Sequence, residues 1–185
     1  MPRPKRSDKY LVWMDCEMTG LDPAENVLLE IATIVTDYDL EVIARGPDLA
    51  IRRSQARLDA MDAWNRRTHK KSGLIERVLH EGVSTAEAER QTLAFLRRYC
   101  VPRTAPLCGN SVGHDKRFIA KYMPRLYAFL NYRVVDVTTI KVLVSQWYGD
   151  QYKPPKKQET HRALQDIEES IAELAHYRDK VFVRG

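Results

Sequence analysis

Apolar and polar positions alternate along this chain in a way that divides it into strands first and helices after. Leu11-Val12-Trp13-Met14 has no polar face, which suits a central strand covered on both sides, and the run continues to Glu17. Thr19-Gly20-Leu21-Asp22-Pro23 has turn chemistry, with Gly for permissive backbone angles and Pro to bar a continuing strand. Residues 28–36, rich in Ile, Val and Thr, read as a second strand. Residues 42–45 and 49–52 read as a third, interrupted by Gly46-Pro47. Three strands in succession predict an antiparallel meander.

Beyond residue 54 the period becomes helical. Residues 54–82 carry short apolar stripes, Leu58, Met61, Ala63 and Trp64, then Leu74, Ile75, Val78 and Leu79. Ser84-Thr85-Ala86-Glu87 has the form of a capping box and opens a helix to about Tyr99, with Ala88, Thr92 or Leu93, Leu96 and Tyr99 facing the core. Residues 106–109 form a brief buried strand, after which Asn110-Ser111 offer caps for a helix over 112–123. A helical turn at 126–130 precedes a strand at 133–137 whose acid, Asp136, caps a helix running to Trp147. A polar Pro/Lys loop over 149–157 leads to the last helix, with Thr160 as its cap and Leu164, Ile167, Ile171, Leu174 and Ala175 as its stripe.

Composition narrows the class. A chain of 185 residues, 44% hydrophobic and 30% charged, is expected to fold as one domain with a substantial core, taken as residues 9–180 after a basic disordered tail at 1–8 containing Arg3, Lys5 and Arg6. A net charge of +5 and a pI near 9.1 favour polyanionic partners. No apolar run approaches a membrane span and no signal-peptide pattern opens the chain; the odd set Cys16, Cys100 and Cys108 lacks metal-ligand spacing. A reducing, cytoplasmic setting is expected.

Four acids and a histidine carry the candidate chemistry. On a strand Asp15 and Glu17 project to the same side, two carboxylates side by side that need protons or a cation, unless they lie ionised and idle in a wet loop. Asp115 falls on the stripe of Phe118, Ile119 and Tyr122, where it serves either a cation site or a salt bridge to Lys116, Arg117 or a distant base. Asp166 borders the last helix's apolar stripe, as a ligand or simply as an acid near a helix N-terminus. His161 lies five residues earlier, roughly 140 degrees around a continuous helix, so it is expected at or before the helix start, as a base over the site or as an exposed histidine. Trp64, amid Arg66, Arg67 and His69, can stack a base or anchor a core. Oxygen ligation by Asp15, Glu17, Asp115 and Asp166 suits Mg²⁺ or Mn²⁺, and two such ions ~3.5–4 Å apart, with His161 as general base, would hydrolyse a phosphodiester.

Three segments carry a family resemblance. Trp13-Met14-Asp15-Cys16-Glu17-Met18-Thr19-Gly20-Leu21-Asp22-Pro23, Cys108-Gly109-Asn110-Ser111-Val112-Gly113-His114-Asp115 and His161-Arg162-Ala163-Leu164-Gln165-Asp166-Ile167 resemble the exonuclease motifs of the oligoribonucleases, among the DEDDh 3′-to-5′ exonucleases. The similarity runs from about Leu11 to Tyr177 and includes Met61-Asp62-Ala63-Trp64-Asn65 and Tyr132-Arg133. It implies an α/β, RNase H-like fold with a five-stranded mixed sheet flanked by helices, and release of 5′-mononucleotides from short single-stranded RNA, diribonucleotides above all. It further implies that Leu21 and Trp64 grip bases, that Ser111 and His69 lie near substrate phosphate, and that Tyr132 and Arg133 reach in from the other subunit of a homodimer. Gln165 departs from the pattern, standing where a second acid is expected. The competing readings are a DNA-directed proofreading-type exonuclease and a non-catalytic nucleic-acid-binding module; the second has no need of the four acids.

Overall fold

The computed structural model describes residues 6–155 and 162–183. Strand β1 (Leu11–Met18) lies at the centre of a sheet ordered β3-β2-β1-β4-β5. β2 (Leu28–Thr36) pairs antiparallel with β1, and β3 (Val42–Ala50) antiparallel with β2, which is the expected meander. β4 (Leu107–Gly109) and β5 (Val134–Asp136) return parallel to β1 after helical crossovers. This is the mixed α/β sheet of an RNase H-like fold.

Alternation along β1 assigns its two faces. Val12, Met14, Cys16 and Met18 pack against Leu96 of α4 (Thr85–Tyr99), Phe118 and Ile119 of α5 (Gly113–Tyr122) and Leu126 of α6 (Pro124–Phe129). Leu11 and Trp13 pack on the other side against Val137 and Val144 of α7 (Val137–Tyr148) and Ile167 and Ile171 of α8 (Ala163–Lys180). The Trp13 indole N–H, fully buried, donates to Thr36 Oγ1 at 2.9 Å. Residues 54–82 form three short helices, α1 (Gln55–Asp59), α2 (Ala63–Lys71) and α3 (Leu74–His80), whose Leu58, Leu74 and Val78 close over Leu29. Among the described residues no helix is long and apolar enough to cross a membrane.

Four expectations are corrected. The third strand is continuous through Gly46-Pro47: Ala32 faces Asp48 while Ile34 faces Arg45, so β3 carries one extra residue in a bulge, which an edge strand accommodates along with its proline. Gly46 is required there, because a Cβ would come within 2.6 Å of the Phe95 ring. Neither Asn110 nor Ser111 caps α5; Val112 holds that position, and Ser111 turns the chain at φ +50. The last helix starts at Ala163 with Arg162 as its N-cap, Thr160 lying outside the described residues, and its buried stripe takes in Ser170, Glu173 and Tyr177 while Ala175 is exposed. Within the expected tail, Ser7 bridges Cys100 and donates its N–H to Tyr99 O, so the domain already begins there. The caps at Ser84 and Asp136 form as expected, accepting the N–H groups of Glu87 and Thr138.

Candidate metal centre

The site forms where the parallel strands end. β4 pairs with β1 only at Val12 and Trp13, so the Cys16 N–H, further along β1, lies beyond the paired segment. Asp115, in the first turn of α5, fills the gap: its Oδ1 accepts the Cys16 N–H at 2.9 Å. The neighbouring cations are engaged elsewhere, Lys116 with Tyr132 O and Arg117 with Leu21 O, so the salt bridge offered as Asp115's alternative does not form with them.

Asp15 and Glu17 continue the face of Leu11 and Trp13 and therefore point toward α8. Both are part-buried on the strand, not in an open loop. The first turn of α8 brings Asp166 against them, and oxygens of Asp15, Glu17 and Asp166 all lie within 4.8 Å of one another. Burial pushes the Asp15 carboxyl well above its usual range, and the charges of Asp115, Glu17 and Asp166 push it further. Burial raises Glu17 to about 8, with Asp166, Glu30 and Asp115 adding to it and Arg162 opposing. Asp115 is raised to about 7 by burial, against the lowering effect of the Cys16 N–H. A set of oxygen-only donors that repel one another in this way fits a hard divalent cation, which would replace the missing positive charge.

The other expected residues are placed as follows. Leu21 is 62% exposed, on a loop fastened to α5 by Arg117 on Leu21 O, Lys121 on Pro23 O and Tyr122 OH on Asn26 O. Trp64, 54% exposed, is the second residue of α2, in the first turn after its cap Asp62. His69, at the other end of α2, is buried: its Nε2 meets Met18 O at 2.9 Å and its Nδ1 stands 3.8 Å from Glu17 Oε2. Ser111 is exposed, its N–H taken by Asp136 Oδ1 and Thr138 Oγ1. Tyr132 is 72% exposed, with the Arg133 guanidinium 4.6 Å above its ring. His161 lies outside the described residues and directly precedes Arg162.

Sequence reasoning passes over Glu30. Its side chain is fully buried in β2, opposite Glu17, and it binds Arg77 of α3 and the first amide of α8. A lone acid in the middle of Leu28-Leu29-Glu30-Ile31-Ala32 was the available signal.

Comparison with known proteins places this arrangement. The RNase_T exonuclease model matches residues 12–174. The oligoribonuclease of Alkalilimnicola ehrlichii is 53% identical over 172 residues, 93% of this chain and 89% of that one. That of Aeromonas hydrophila subsp. hydrophila is 54% identical over 176 residues, covering 95% and 97%. A probable oligoribonuclease of Caenorhabditis elegans is 49% identical over 178 residues, covering 96% and 92%. Among solved structures, exonuclease I of Methylocaldum szegediense superposes with a TM-score of 0.69 at 18% identity, over 93% of this chain and 41% of that one. The metal-free E. coli exonuclease I complex with single-stranded DNA gives a TM-score of 0.71 at 14% identity, over 94% and 40%. This chain thus spans about two fifths of those exonucleases, and the likeness to them is one of fold.

Proposed function

Because this chain belongs to the RNase_T exonuclease family, among the oligoribonucleases, and is thereby a metal-dependent 3′-to-5′ exoribonuclease, we propose that it hydrolyses very short RNA, diribonucleotides above all, to 5′-mononucleotides. The observation that carries this reading is the meeting of Asp15, Glu17 and Asp166 within 4.8 Å, beside Asp115. These four would hold two divalent cations, Mg²⁺ or Mn²⁺. When bound, such ions supply the positive charge that the developing phosphorane and the departing oxygen require.

The residues of the chain do the rest. Leu21 and Trp64, both exposed, offer apolar surfaces for the terminal bases, a grip indifferent to base identity. His161 takes the proton of the attacking water as its oxygen bonds to phosphorus; the bond from phosphorus to the 3′ oxygen breaks, and that oxygen takes up a proton from solvent and leaves as the 3′-hydroxyl of the shortened chain, His161 giving its own proton back to solvent. Ser111 and His69 lie toward substrate phosphate in this reading, His69 acting through Glu17. Tyr132 and Arg133 are supplied by the second subunit of a homodimer, where they cap the 5′ end and exclude longer chains. The exposed Val134 on the edge strand β5, two residues from Tyr132, and the exposed Val142, Leu143, Trp147 and Tyr148 on the following helix α7 support such pairing, since they leave apolar side chains open to a partner.

The test is a time course on 5′-labelled RNAs from dinucleotides to heptanucleotides, and on DNA of the same lengths, with Mg²⁺, Mn²⁺ or chelator. Fastest turnover of the dinucleotide, mononucleotides leaving from the 3′ end and no turnover in chelator are expected; equal rates on the longest DNA would overturn the reading. His161→Ala should lower kcat while KM changes little.

A further inference from the structure

Glu17 and Glu30 face each other across the antiparallel register of β1 and β2, so both point toward α8. Glu17 has been placed in the metal centre; Glu30 has no place in the chemistry, yet its side chain is 0% exposed. A carboxylate buried so completely must be matched by hydrogen bonds and opposite charge. Its partners come from two remote helices. Oε2 accepts the Ala163 N–H at 3.0 Å, and Oε1 binds the Arg77 guanidinium of α3, which also holds Asp48 Oδ1 at 3.2 Å. Arg162 Nε stands 3.8 Å from the same Oε1.

The Ala163 N–H is the first amide of α8 and has no acceptor within its own helix. A side-chain oxygen at the N-cap usually takes up the amides of the second or third helical residue and so fastens the first turn, but the N-cap here is Arg162, which can only donate. Glu30 therefore supplies from β2 the acceptor that the helix lacks. The turn that begins at this bond closes when the Asp166 N–H donates to Arg162 O at 3.0 Å. Asp166 thus leaves the helix one turn after the anchor, at the point where its carboxylate meets Asp15 and Glu17.

We infer that Glu30 is a positioning residue for the metal centre: anchored to α3 through Arg77, it fixes the first turn of α8 to the sheet so that Asp166 reaches the acids of β1. The inference rests on the reading of Asp15, Glu17 and Asp166 as cation ligands. It assigns no contact with substrate to Glu30.

Glu30→Leu, Glu30→Gln and, as a control on the ligand assignment, Asp166→Asn test it. Two readouts need no turnover: Mn²⁺ binding by calorimetry, and amide hydrogen exchange of the metal-free protein. Glu30→Leu should weaken Mn²⁺ binding by about 10–100-fold, the scale on which groups that orient ligands act. It should also speed exchange at residues 163–166 while β1 and β2 stay protected, and leave KM for a diribonucleotide at saturating Mn²⁺ near its original value. Glu30→Gln preserves volume and an acceptor oxygen, so it should fold and recover most of the affinity; if the leucine variant does not fold, a loss of at least about threefold in the glutamine variant decides the matter. Wild-type Mn²⁺ affinity and exchange in the folded Glu30 variants, with Asp166→Asn impaired, overturns the positioning role alone. Wild-type Mn²⁺ affinity in Asp166→Asn overturns the ligand assignment beneath it.

Discussion

Glu17 and Glu30 are the same residue type on neighbouring strands, facing each other on one side of the sheet, and they have opposite surroundings. Glu30 is enclosed by what a carboxylate wants: a guanidinium on one oxygen and a helix amide on the other. Glu17 is enclosed by what it does not want, with Asp15 and Asp166 within 4.8 Å and the nearest potential cation of α2, His69 Nδ1, at 3.8 Å. The lesson is that burial alone does not distinguish a structural acid from a functional one. An acid whose charge the chain itself matches is part of the frame; an acid gathered with others of the same sign is held ready for positive charge from outside.

The sharpest way to break this contrast is to neutralise Glu17. Glu17→Gln removes a ligand and should lower hydrolysis of a diribonucleotide by at least ~10⁴-fold, the scale seen when one member of a catalytic unit is lost. The metal-free protein should melt no lower than before at pH 8, and higher if repulsion with Asp15 and Asp166 dominates. Substantial residual turnover would remove Glu17 from the chemistry.

On the other side of the comparison, Arg77→Met strands the charge of Glu30 in the interior and should cost about 3–5 kcal/mol of stability, read from denaturant midpoints. Adding Glu30→Leu to Arg77→Met should return much of that loss, because two apolar side chains of similar volume no longer leave a buried charge. If the double variant is as unstable as the single one, Arg77 acts chiefly through Asp48 and Glu81 and the pairing with Glu30 is secondary.

How much of this was legible beforehand follows from what each feature depends on. The side on which Asp15 and Glu17 project depends only on alternation within one strand, and the meander only on short apolar runs with turn residues between them. Those readings needed no tertiary contact. The third strand looked broken because Gly46-Pro47 reads as punctuation, whereas an edge strand can absorb both in a bulge beside Phe95. Ser111 looked like a cap because the side-chain chemistry fits, but Asp136 and Thr138, far along the chain, take its N–H and turn the backbone. Glu30 stood out as a lone acid in an apolar strand, but its role was illegible for the same reason: its partners are 47 and 133 residues away, and only the packing of α3 and α8 brings them together. The four acids could be read because each stands on a strand face or beside an apolar stripe within its own segment; the partners of Glu30 and Ser111 could not, because only the tertiary packing supplies them.

The most direct measure of the contrast needs no substitution. Glu17 is raised to about 8 and Asp115 to about 7, while in the unfolded chain such groups titrate near about 4. Between those limits the folded, metal-free protein holds more protons than the unfolded one, so its stability must fall as pH rises. The contribution of these two groups is fully present below about pH 4 and is lost as pH passes through 7 for Asp115 and 8 for Glu17. Divalent cations bind the ionised form, so the loss should be offset when they are present. The melting temperature in chelator should therefore drop from pH 5 to pH 8, at roughly 2–4 °C for each kcal/mol lost in a chain of this size, while the gain on adding Mg²⁺ should be small at pH 5 and grow toward pH 8. Glu17→Gln should flatten the part of the curve nearest pH 8, and Glu30→Gln, which removes one of the charges that raise Glu17, should move that part toward lower pH without abolishing it. A gain from Mg²⁺ that is equal at pH 5 and pH 8 would mean that the cluster is not where the cation binds.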